Sequence, residues 1–82
     1  MEWTIDSPVF EDGSLHARIV AWHREIGALV KMDEVVLEIE TQKSVLEVIA
    51  PRDGYLVAKS AVIGEIVQPK QTLATFSDSK PR

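Results

Sequence analysis

The chain repeats itself at an offset of 37 residues. Gly27-Ala28-Leu29-Val30-Lys31 lies over Gly64-Glu65-Ile66-Val67-Gln68, Ile19-Val20-Ala21 over Leu56-Val57-Ala58, and Ile26 over Ile63. Further on, Val36 and Ile39 lie over Leu73 and Phe76. Glycines and apolar positions coincide, while the polar residues have diverged. Each copy reads as a strand, a glycine turn, a short extended piece and another strand. A unit of that size cannot cover its own apolar face, so two copies must pack face to face. The repeat therefore predicts two small antiparallel sheets related by an approximate two-fold axis. In the second copy the place of Lys43 falls to Lys80, which puts the Lys43 turn and the chain ends at opposite ends of the domain.

The local pattern agrees. Leu37 and Ile39 alternate with Glu38 and Glu40, and Leu46 and Val48 flank Glu47. That period of two marks strands with one wet and one buried face. Strands are expected over Trp3–Asp6, His16–His23, Val35–Glu40, Val45–Ile49, Tyr55–Lys59 and Thr72–Phe76, with shorter extended pieces at Leu29–Val30 and Ile66–Val67. No stretch sustains helical periodicity. Gly27, Gly54 and Gly64 read as turn formers, because glycine accepts positive φ without steric penalty. Asp53-Gly54, after Pro51, is a hairpin or bulge signal. The folded domain is expected to span 1–77, leaving 78–82 as a polar tail or the start of an interdomain linker.

Eighty-two residues with 45% hydrophobic content suit one small domain. The net charge of −4, with the lysines scattered among acids, argues against nucleic acid, which needs clustered Lys and Arg. Without cysteine there are no disulfides and no thiolate metal sites. No apolar run approaches the length of a membrane span, and Met1-Glu2-Trp3-Thr4 lacks the zones of a secretory signal. The expected home is the cytoplasm, or the mitochondrial matrix in a eukaryote, and the isolated domain is expected to be a monomer.

Between the two strongest strands stands Glu40-Thr41-Gln42-Lys43-Ser44. So short a connection must reverse at once, which places Lys43 at a hairpin tip with its amine directed into water. A lysine presented on a rigid platform, with Glu40 just upstream, suits a modifying enzyme. The remaining candidates are weaker. Glu38, Glu40 and Glu47 lie on an exposed strand face rather than in the cleft that acid–base work requires. His16 and His23 lack metal-ligand spacing. Trp22 reads as packing. The serines carry no nucleophile motif and the glycines no phosphate loop. Nothing in the chain is arranged to do chemistry alone.

These residues resemble the lipoyl domains of 2-oxoacid dehydrogenase acyltransferase (E2) components, within the biotinyl/lipoyl attachment family, over nearly the whole chain. The family's Glu-Thr-Asp-Lys-Ala, lipoylated on its lysine, stands here as Glu40-Thr41-Gln42-Lys43-Ser44. A Trp-His segment leading to a glycine turn matches Trp22-His23 through Gly27. Leu46-Glu47-Val48, Pro51 and Gly54 match the stretch after the motif, and Ile63-Gly64 a second glycine turn. Gln42 and Ser44 depart from the usual residues, and Pro8–Gly13 replaces a shorter Gly-Glu segment. Biotinyl domains carry Met-Lys-Met at the turn, and Gln42-Lys43-Ser44 has neither methionine.

The resemblance implies an all-β fold, a flattened barrel or sandwich of two four-stranded antiparallel sheets with quasi-two-fold symmetry. It implies lipoic acid in amide linkage to Lys43, with Gly27 and Glu40 as recognition marks for its attachment and Thr41, Gln42 and Ser44 as their neighbours. The implied partners are a lipoate ligase or lipoyl transferase, a thiamine-dependent decarboxylase, an acyltransferase core and a flavin-dependent dihydrolipoamide dehydrogenase. Pro8–Gly13 would lie near the lysine and bear on which decarboxylase is recognised. The domain would be a carrier, not an enzyme, within a parent acyltransferase, and Val45–Val48 with Asp53-Gly54 leans toward succinyltransferase. Two alternatives remain open: a biotin carrier of a carboxylase, and an unmodified barrel used as an interaction module.

Overall fold

The computed structural model describes residues 1–81. Eight strands form: β1 (Glu2–Asp6), β2 (Ala17–Trp22), β3 (Leu29–Val30), β4 (Val35–Glu40), β5 (Val45–Ile49), β6 (Gly54–Lys59), β7 (Ile66–Val67) and β8 (Thr72–Ser77). They build two four-stranded sheets, in the orders β1-β8-β6-β3 and β5-β4-β2-β7, with every pairing antiparallel. The sheets pack face to face over one core, whose largest fully buried side chains include Ile19, Leu37, Ile39, Leu56, Leu73 and Phe76. The two-sheet all-β architecture is therefore as the repeat requires.

The repeat is visible down to single hydrogen bonds. Gly27 donates its N–H to Leu56 O at 2.7 Å, and Gly64 donates to Ile19 O at 2.8 Å. These two bonds are the same contact made twice, once in each direction between the halves. Gly27 and Gly64 have φ of 95° and 92°, and Asp33 and Lys70, again 37 apart, have 72° and 66°. Even the sheet irregularities recur. Register shifts fall between Ile19 and Ala21 in β2 and between Leu56 and Ala58 in β6, so Val20 and Val57 are the extra residues. A second pair of shifts sets off Val36 in β4 and Leu73 in β8. Such a bulge interrupts strict alternation. It is why Val36 and Leu37, and likewise Leu73 and Ala74, are buried side by side.

One turn former is not a turn former. Gly54 lies inside β6, is buried, and has no positive φ. The strands on either side of Pro51–Asp53 belong to different sheets, so Asp53-Gly54 marks no hairpin. The glycine is required for space instead. A Cβ at position 54 would collide with the Trp3 ring, which packs against Phe76 at a centroid distance of 6.3 Å. Asp53 does separate work: its Oδ1 accepts the Met32 N–H at 2.8 Å and so braces the β3–β4 turn.

Symmetry sets the two ends of the domain. β4 pairs with β5 as β8 pairs with β1, so the Lys43 turn on one side corresponds to the chain ends on the other. There the Met1 ammonium meets Asp78 Oδ1 at 3.1 Å and Asp78 N–H bonds Met1 O. Strand β8 ends at Ser77. Of the expected tail, Arg82 lies outside the described residues.

Candidate functional site

The tip of the β4–β5 hairpin is organised by one hydroxyl. Beyond the last strand pair, Glu40 with Val45, the Thr41 N–H bonds Ser44 O at 2.9 Å and leaves Gln42 and Lys43 at the apex. Thr41 is buried. Its Oγ1 accepts the N–H groups of Lys43 and Ser44, each at 3.1 Å, and donates to Asp12 Oδ2 at 2.6 Å. A side-chain oxygen that takes nearby backbone N–H groups fixes a turn that strand pairing alone would leave open.

Asp12 reaches the tip because its loop is anchored. Phe10 is buried in the core, Gly13 turns the chain at φ 84° with its N–H on Phe10 O, and Asp12 Oδ1 accepts the Ser14 N–H at 2.8 Å. The hydrogen bonds from Thr41 and Ser14, with a smaller contribution from the Lys43 charge, hold the Asp12 carboxyl down at about 2. Hydrogen bonds to the charged form favour it, so Asp12 is an anion wherever the domain is folded at ordinary pH. The sequence did not single out Asp12. The Asp12-Gly13-Ser14 turn signal is readable, but its partner Thr41 is 29 residues away and is set by the fold.

Lys43 is exposed at the apex, but its amine does not simply extend into water. Nζ lies 3.0 Å from the backbone oxygen of Asp12 and folds the side chain onto the loop. Gln42 and Ser44 are exposed beside it, and Glu40 is exposed at the end of β4, opposite Arg18. Gly27 is not brought to this site. Its turn lies against β6 through Leu56, on the half nearer the chain ends, while Gly64 approaches the Lys43 side through the Arg18 guanidinium at 3.3 Å. Grooves flank the tip: His16, Arg18, Gln42 and Ile66 line one side, and Val9, Asp12, Ser44 and Leu46 line the other.

The weaker candidates find structural roles. His23 Nε2 and Glu38 Oε1 meet at 2.6 Å on the outer sheet face. Trp22 packs on the core, donates Nε1–H to Ala61 O at 3.1 Å and lies under the Lys59 ammonium. Glu47 stands directly opposite Glu38 on the adjacent strand, on the solvated side. Among the described residues no group of three His, Asp or Glu could hold a metal, and no helix is long and apolar enough to cross a membrane.

The site thus presents one primary amine on a fixed backbone, which suits covalent modification rather than catalysis. The biotin/lipoyl family model, described as "Biotin-requiring enzyme", matches residues 4–76. The succinyltransferase components of 2-oxoglutarate dehydrogenase complexes from Haemophilus influenzae and Escherichia coli K12 are each 41% identical to the chain, over 73 and 71 residues. The Pseudomonas aeruginosa counterpart is 32% identical over 74. These matches cover 89%, 87% and 90% of this chain but only 18% of each relative. The solution structure of the lipoyl domain of the Azotobacter vinelandii 2-oxoglutarate dehydrogenase complex superposes with a TM-score of 0.75 at 31% identity, covering 90% of this chain and 94% of that one. A multi-domain long-chain acyl-CoA carboxylase shares the fold at a TM-score of 0.78 and 19% identity, across 98% of this chain and 7% of its own. The chain belongs to the biotinyl/lipoyl attachment family, as a lipoyl domain.

Proposed function

We propose that Lys43 carries lipoic acid in amide linkage, and that the domain serves as the carrier of a longer succinyltransferase in a 2-oxoglutarate dehydrogenase complex. The observation that carries the reading is the Lys43 amine at the apex of a two-residue turn whose backbone is fixed by Thr41 and Asp12. The site fits the group: Lys43 is exposed, and its Nζ bonds a backbone carbonyl, so an amide nitrogen keeps one N–H for the same oxygen. When bound, lipoic acid supplies a dithiolane that takes up and gives back electrons and an acyl unit.

The chain's own residues present that group. Thr41 holds the apex backbone, Glu40 offers a carboxylate three residues before the lysine, and the two-sheet core keeps the platform rigid. Tethering to a larger chain raises the effective concentration of the carrier at each partner site. The proposed partners are a lipoate ligase, the decarboxylase, the acyltransferase core and the flavin dehydrogenase, with residues 78–82 leading into a linker. We further propose the cytoplasm as the place of this work, or the mitochondrial matrix for a eukaryotic chain.

Intact mass after co-expression with a lipoate ligase and, separately, a biotin ligase tests the reading. A lipoyl increment that vanishes in Lys43→Ala is expected. A biotinyl increment would transfer the domain to a carboxylase, and no increment with either enzyme would make it an unmodified interaction module.

A further inference from the structure

The two grooves beside the Lys43 turn differ in chemistry. The one on the β2 side is walled by His16, Arg18, Glu40 and Gln42, with Ile66 its one large apolar residue. The one on the β5 side lies open between the Pro8–Asp12 stretch and β5, has a volume of ≈ 430 Å³, and is lined by the apolar Pro8, Val9 and Leu46 and the acidic Glu11, Asp12 and Glu47. Its volume falls within the range of small-molecule pockets, about 300–1,000 Å³. Val9 is 61% exposed, whereas Leu46 is half-buried and packed on the core.

We propose that the β5-side groove is the resting seat of the acyl arm carried by Lys43, with the methylene chain lying on Val9 and Leu46. The inference rests on the lipoyl-lysine reading above. Attachment geometry supports it: Nζ sits on the Asp12 carbonyl, and Asp12 is itself a wall of this groove, so an arm leaving that nitrogen starts at the groove's edge. Charge supports it as well. Free lipoate or a free fatty acid would bring a carboxylate against Glu11, Asp12 and Glu47, whereas the attached arm has consumed its carboxyl in the amide and arrives neutral. The groove therefore selects the tethered group over the free acid. It shields the dithiolane between visits, and a partner must draw the arm out.

The test begins with the 82-residue chain loaded at Lys43 with octanoate or lipoate and verified by mass. A chain that takes no acyl group would sink the carrier reading itself. In the octanoyl form, nuclear Overhauser contacts are expected between the arm's methylenes and the methyls of Val9 and Leu46, while free octanoate leaves those methyls unshifted. In the lipoyl form, Val9→Asn, a change at an exposed position, should speed dithiolane reduction by a water-soluble phosphine about threefold, the factor for an arm docked roughly two-thirds of the time. A fully loaded chain with no arm contacts to Val9 or Leu46, contacts to Ile66 instead, or an unchanged reduction rate in Val9→Asn would overturn the groove assignment while leaving the carrier reading intact.

Discussion

Replacing Thr41 by valine keeps the shape and the β-branch of a buried side chain and deletes its hydroxyl. The hydroxyl accepts two backbone N–H bonds and donates one bond to a carboxylate. Each accepted bond is worth about 0.5–1.5 kcal/mol net, so Thr41→Val should cost about 2 kcal/mol. For a domain of this size that corresponds to a drop of about 8–16 °C in melting temperature. The cost is linked to pH through Asp12, whose carboxyl is lowered from its ordinary 3.8 to about 2, chiefly by Thr41. A lowered folded value stabilises above the unfolded pKa, and that contribution fades as pH falls from about 4 through 2. In Thr41→Val the Asp12 value climbs back toward ordinary, so the variant has less of this contribution to lose. The melting gap between parent and variant should be wide at neutral pH and narrower near pH 2. Thermal melts by circular dichroism across that range measure it. Equal melting at neutral pH would refute the hub role of Thr41, and a gap unchanged down to pH 2 would refute its link to Asp12.

Three further outcomes are expected. Gly54→Ala should destabilise by about 1–3 kcal/mol in chemical denaturation, because its methyl meets the Trp3 ring; pairing it with Trp3→Leu should recover part of the loss. Glu34 accepts the Lys31 N–H at 2.6 Å, and Gln71 accepts the Gln68 N–H with an amide oxygen at the equivalent place, so Glu34→Gln should melt close to the parent. Hydrogen bonds from Lys31 and Arg24 keep the Glu34 carboxyl below its usual range, so what stability it does add fades at acid pH and Glu34→Gln should flatten that decline. Glu40→Ala should slow attachment by a lipoate ligase in a timed mass assay with the circular dichroism spectrum unchanged.

The strands and the Lys43 turn were legible because their causes are local: alternation over Leu37–Glu40 and Leu46–Val48, and a connection too short for anything but a reversal. The two-fold arrangement was legible through Gly27 and Gly64, whose equivalent bonds to Leu56 and Ile19 of the opposite halves make the repeat a physical contact. What escaped depended on distance. Gly54 looks like punctuation after Asp53, yet its constraint is a tryptophan from β1 that only the folded sheet brings near. Asp12 sits in a loop without periodicity, and its partner Thr41 lies 29 residues on, in the β4–β5 turn. The contact of the exposed Lys43 amine escaped for the same reason, since the carbonyl that receives it belongs to that loop. Val36 and Leu73 broke the period of two because bulges are set by pairing, and the repeat would have revealed them only once the register was known.

The central claim is that Lys43 is the attachment point, and intact mass of the chain co-expressed with a lipoate ligase tests it most directly. The account predicts one lipoyl increment on the parent, mapped by peptide fragmentation to Lys43 and absent in Lys43→Ala. An increment that persists in Lys43→Ala, or that maps to Lys31, Lys59, Lys70 or Lys80, would contradict it.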